Sequence, residues 1–193
     1  MKVKVFISHA RKEGEAAGIL ARAILHGCKL AEKEITCTSC PQFALTECKD
    51  SNSLLQEKIK EAKILIYLIS PAFCESENCC NEVEWGCKKR NKIAFHIKGV
   101  RDKEKPLNLV DANFLELSEH GMIDLKNYLI EKLRIVNFND HSWSDEIKGF
   151  LQQVDNMQQL QYSPITAEDL TLLKEANQDY LFNKMQEIER RPF

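Results

Sequence analysis

Residues 63–90, KILIYLISPAFCESENCCNEVEWGCKKR, decide the fold. Ile64 to Ile69 is an apolar run that stops at Ser70-Pro71, the pattern of a strand buried on both faces. Ser76 is placed to cap a following helix, and Glu77 suits its first turn. Cys79, Val83, Gly86 and Cys87 then recur at helical spacing and form a narrow apolar face. Glu82 lies at one edge of that face, one turn into the helix and just past the carboxyl end of the strand, while Glu84 borders the other edge. In open α/β sheets this is the side where ligands bind. A carboxylate half-withdrawn from water there is suited to stabilising a cation that forms during a reaction.

The same alternation of strand and helix extends in both directions. Val3 to Ser8 reads as a first strand, and Ala17, Leu20, Ala21, Ile24 and Cys28 mark the helix after it. Glu34 to Thr38 reads as a short strand, Pro41 to Lys49 as a loop, and Leu55, Ile59 and Ala62 as a second helix with caps available in Asp50 to Ser53. Lys92 to Lys98 and Asn113 to Leu117 supply two more strands, and Met122, Leu125, Leu129 and Leu133 line a further helix. Repeated βα units predict an α/β fold, a parallel sheet covered on both faces by helices. Asn137 to His141 reads as a break. After it come a helix through Trp143, Ile147, Phe150, Val154 and Met157, an interruption at Tyr162-Ser163-Pro164, and a last helix from Thr166 carrying Leu170, Leu173, Ala176, Tyr180 and Ile188. The expected division is a sheet domain over 1–136 and a two-helix extension over 137–193 that packs on the domain or on another subunit.

The 193 residues carry 27 basic and 29 acidic side chains, and no basic stripe marks a nucleic-acid surface. No apolar stretch approaches the roughly 20 residues that span a bilayer. MKVKVFISHARKE has too short an apolar run for a signal peptide, so neither membrane nor secretion is expected, and the location expected is the cytoplasm. Eight cysteines then read mainly as reduced thiols. Cys37-Thr38-Ser39-Cys40 has the spacing of half a zinc site or a redox pair, but no second such pair and no histidine at finger spacing accompanies it. No metal site is therefore expected. Cys79 and Cys80 adjoin within a helix, where neighbouring side chains diverge by about 100°.

Four separated segments, KVFISHARKE, EITCTSCP, LLQEKI and ILIYLISPAFCESENCCNEVEWG, together resemble a Toll/interleukin receptor (TIR) domain of the bacterial type, over about residues 1–135. The resemblance implies a flavodoxin-like sheet of five parallel strands. It also implies an enzyme that cleaves the nicotinamide–ribose bond of NAD and leaves ADP-ribose or a cyclised form, as a nucleotide signal in anti-phage defence. NAD is then the substrate and no cofactor is expected. The implied partners are further copies, through TIR–TIR contacts, and a protein that senses the product. The family's catalytic glutamate lies in a Trp-Cys-x-x-Glu pattern. The corresponding segment is Asn78-Cys79-Cys80-Asn81-Glu82, which gives the catalytic role to Glu82 rather than Glu84.

By the same resemblance the turn after the first strand, with Ser8, His9 and Arg11, contacts ribose and phosphates. From their places in the chain, Ser39 at the end of the second strand suits either a reach to the ribose or ordinary turn chemistry, and Phe43 suits stacking on a base or burial against a neighbouring subunit. Asn78 stands where the family has its stacking Trp. The residues themselves also allow an ordinary loop histidine at His9 and a surface cation at Arg11. Trp85 is read as lying on a different side of the helix from Asn78. The chain departs from the family further in having no glycine between Cys40 and Asp50, and Ser51 where an aromatic is common. Two other readings use the same features: a non-catalytic TIR adaptor acting through its contacts alone, and a relative of the nucleoside deoxyribosyltransferases, which also use a glutamate.

Overall fold

A computed structural model describes residues 2–38, 40, 42–43, 51–97, 109 and 111–162. Ser39, most of the loop expected over 41–49 and the helix expected from Thr166 lie outside the described residues. The chain divides into one compact unit, Met1–Gln158, and a second, Gln159–Phe193.

Strands β1 (Val5–His9), β2 (Ile35–Cys37), β3 (Ile64–Ile69), β4 (Lys92–His96) and β5 (Asn113–Leu115) form one sheet in the order β2-β1-β3-β4-β5. Every pairing is parallel. This is the flavodoxin-like order, with its topological switch point between β1 and β3. The intervening helices are α1 (Gly14–Gly27), α2 (Ser51–Glu61), α3 (Pro71–Glu75), α4 (Glu77–Gly86), α5 (Glu119–Leu133) and α6 (Asp140–Tyr162).

Each central strand feeds two cores. On β3, Ile64, Ile66 and Leu68 join a cluster with α1, α5 and α6, while Leu65, Tyr67 and Ile69 join one with α2, α3 and α4. A strand covered on both sides has no polar face, which is why its sequence is a continuous apolar run. Trp143, Ile147, Phe150 and Val154 of α6 belong to the first of these cores.

Strands β2 (Ile35–Cys37), β4 (Lys92–His96) and β5 (Asn113–Leu115) are shorter than the sequence expectation, and two further details differ. Strand β1 starts at Val5 and continues through His9, so His9 is a strand residue. Ser70-Pro71, read only as the end of β3, also starts α3. The Ser70 hydroxyl accepts the Phe73 N–H at 3.0 Å, and Pro71 occupies a first-turn position where no N–H is needed. Ser76 closes that turn and caps α4 by accepting the Cys79 N–H at 3.4 Å.

Helix α4 sits hard against β3 because its contact residue is a glycine. A Cβ on Gly86 would lie 2.3 Å from Tyr67 Oη and 2.5 Å from Leu65 Cδ1. Both partners are fully buried, so neither yields easily. Gly86→Ala is expected to cost about 1–3 kcal/mol of stability through overpacking, read as a lowered urea midpoint at unchanged m-value.

Candidate active site

The carboxyl ends of β1 and β2, the start of α1, the start of α2 and one side of α4 enclose a partly open cavity of about 690 Å³. Such a volume falls in the range that holds small organic ligands. Its walls include His9, Arg11, Thr38, Asn78, Glu82 and Trp85.

Glu82 is the buried carboxyl of the cavity wall. It is only 5 % exposed although it lines the cavity. Its position follows from α4: with Val83 and Gly86 pressed on β3, the preceding residue faces the end of β1. There the Ser8 hydroxyl donates to Glu82 Oε2 at 2.5 Å. Ser8 is fully buried, on the α4 side of β1 beyond Phe6. Burial raises the Glu82 pKa from the usual 4.5 to about 7, and the Ser8 hydrogen bond opposes that rise only in part. Glu84, by contrast, is exposed. A second carboxyl, Glu13, is fully buried beyond Arg11, with both oxygens lacking a hydrogen-bond partner at bonding distance. Burial pushes its pKa up as well, and the neighbouring Ser70 hydroxyl opposes that rise in part.

The other expected site residues are distributed unevenly. Arg11 and Asn78 line the cavity from exposed positions. Ser8 acts on Glu82 from behind and is not a wall residue. His9 contributes a wall, but both ring nitrogens are engaged: Nδ1 lies 2.8 Å from the Ala10 carbonyl and Nε2 lies 3.3 Å from Cys37 Sγ. Phe43 is 4 % exposed and packs in the same core as Cys37 and Cys40, away from the cavity wall. Ser39 lies outside the described residues.

Two participants were not singled out from the sequence. Trp85 lines the cavity with Asn78 and Glu82, contrary to the expectation that it faces elsewhere. The spacing 78, 82, 85 is i, i+4, i+7, one helix face, and is the signal that identifies it. The second is a pairing of His9 with the Cys37–Cys40 pair, whose sulfurs lie 3.2 Å apart. Parallel pairing of β1 with β2, with Ile7 opposite Cys37, brings His9 beside a motif that has no histidine near it in sequence.

The chain matches no known protein-family profile and no curated protein sequence.

Burying the Glu82 charge has a measurable sign. Below pH 4.5 the carboxyl is protonated both folded and unfolded. Between 4.5 and about 7 the folded protein keeps a proton that the unfolded chain has lost, so stability falls as pH rises through that window. The full difference amounts to about 3 kcal/mol above pH 7. Glu82→Gln removes the charge but leaves amide hydrogens to accommodate. It is expected to stabilise the protein by about 1–3 kcal/mol at pH 8 and to lose that advantage near pH 4.5. Urea unfolding of both proteins at the two pH values checks this.

Proposed function

We propose that this chain is a TIR-type enzyme of the cytosol that cleaves the nicotinamide–ribose bond of NAD and makes an ADP-ribose-type signal nucleotide in anti-phage defence. The observation that carries the reading is Glu82, a nearly buried carboxylate facing a cavity at the carboxyl ends of β1 and β2 and fixed there by Ser8. The sequence resemblance to TIR domains supplies the substrate.

Nicotinamide leaves NAD as a neutral base, so the leaving group needs no proton. The difficulty is the positive charge that grows on the ribose C1 carbon. A carboxylate on one face of the sugar stabilises that oxocarbenium-like state, as one member of a glycosidase pair does. A pre-set carboxylate in a poorly hydrated site does this with little reorganisation. Water attacking C1 gives linear ADP-ribose, and attack from within the same molecule gives a cyclic product. Trp85 offers an aromatic surface for a flat ring, one turn of helix from Glu82. Arg11 and the backbone N–H groups where α1 begins suit the pyrophosphate. His9 shapes the wall without offering a free ring nitrogen.

Incubation of the purified chain with NAD should release free nicotinamide. The rate should climb with pH through about 7 as Glu82 ionises. Glu82→Gln should slow it at least about 100-fold while the protein stays folded. Unchanged turnover in that variant moves the catalytic role elsewhere, and no release at any enzyme concentration favours the adaptor.

Self-association through TIR–TIR contacts belongs to the same proposal. Turnover that rises more steeply than enzyme concentration supports it, and strict proportionality over a wide dilution range removes it.

A further inference from the structure

The reaction proposed for Glu82 leaves one cluster of chemically capable groups unused. His9, Cys37 and Cys40 are all buried, and their ligand atoms lie within 4.8 Å of one another. They come from three places: the end of β1, the end of β2 and the turn that follows β2. That turn is closed by the Cys40 N–H donating to the Cys37 carbonyl at 3.1 Å and the Phe43 N–H donating to the Cys40 carbonyl at 2.9 Å.

We propose that His9 Nε2, Cys37 Sγ and Cys40 Sγ form a binding site for a thiophilic divalent cation, zinc above all. Two thiolates and an imidazole are the soft and borderline donors that select zinc over calcium or magnesium. The histidine is prepared for the role. Its Nδ1 faces the Ala10 carbonyl at 2.8 Å, which places the ring proton on Nδ1 and leaves the Nε2 lone pair facing the sulfurs. A backbone carbonyl holding the far nitrogen is the usual support of a zinc-bound imidazole.

The spacing is close to what a cation needs. A tetrahedral zinc ion with ordinary bond lengths separates two sulfurs by roughly 3.8 Å and a sulfur from a nitrogen by roughly 3.5 Å. The observed separations are 3.2 Å between the sulfurs and 3.3 Å from Cys37 Sγ to His9 Nε2. Those two edges reach tetrahedral spacing by opening about 0.6 Å and about 0.2 Å, and the third, from Cys40 Sγ to His9 Nε2, is within 4.8 Å. A Cys37–Cys40 disulfide would instead draw the sulfurs together and leave His9 Nε2 without its partner. Binding breaks two S–H bonds, releases both protons to solvent and forms two zinc–sulfur bonds and one zinc–nitrogen bond. No oxidant or reductant takes part. The cluster supplies three ligands and leaves a fourth tetrahedral position for water or another small donor, and His9 of the cluster also lines the cavity. The bound ion would tie the ends of β1 and β2 to the turn beside the cavity. This site stands whether or not NAD is the substrate.

The test is titration of the fully reduced, metal-free chain with cobalt(II), followed by displacement with zinc. One cobalt per chain with a strong thiolate-to-cobalt absorption, abolished by stoichiometric zinc, is the expected result. Cys37→Ser and Cys40→Ser should each weaken zinc binding by at least about 100-fold, the upper end of what losing a mere supporting contact costs. Cys80→Ser, at an exposed position, should leave it unchanged. Should a cysteine variant fail to fold, thiol alkylation of the native chain decides: zinc should protect Cys37 and Cys40 together and leave Cys80 reactive. A reduced chain that takes up neither metal overturns the site. So does a cobalt signal that survives loss of both cysteines, or a Cys37–Cys40 disulfide that binds no metal after reduction.

Discussion

One hydrogen bond, from Ser8 to Glu82, joins the two parts of the molecule that have to agree for the cavity to be useful. Ser8 belongs to the sheet and Glu82 to a helix laid across it. A buried carboxylate is costly wherever it is placed, and a single hydroxyl recovers only part of that cost. The rest is carried by the packing of α4, which leaves the side chain nowhere else to go. Cys79 and Val83 are buried in the same core as Leu65 and Tyr67, and Gly86 brings the helix backbone close to both strand residues. A site of this kind is stabilised by its surroundings and destabilised by its own chemistry, which is common where function is stored.

The two faces of the sheet divide the labour. On the α4 side β1 offers Phe6 to the core and Ser8 to the carboxylate. On the other side the same strand offers Val5 and Ile7 to the core, and then His9 to the two cysteines beside β2. Strand alternation thus sends two consecutive residues into two chemically different neighbourhoods. Both neighbourhoods lie at the carboxyl edge because parallel strands end together there.

Much of the fold was legible in the sequence. The run Ile64 to Ile69 gave a strand with those bounds, and the capping role of Ser76 was visible from its place before Glu77. These signals are local, set by side chains a few residues apart. The short helix α3 escaped notice because Ser-Pro reads equally well as a strand end and a helix start. Glu82 was located by resemblance, with the helical pattern putting it only at the edge of the buried face; its depth depends on Gly86, which fixes how near α4 approaches β3. Trp85 was within reach of spacing alone. The meeting of His9 with Cys37 and Cys40 was not, since it depends on which strands are neighbours and in what register. Ring contacts made by Phe43 depend likewise on packing, and the structure buries it within its own core.

The outer strands of the sheet are both short: β2 covers Ile35–Cys37 and β5 covers Asn113–Leu115. Margins of that length expose few free main-chain donors and acceptors for a foreign strand to zip onto. Lateral growth of the sheet from molecule to molecule is therefore disfavoured. Among the described residues, the surface offered to a second copy is the sides of the helices and the loops between them rather than a strand margin.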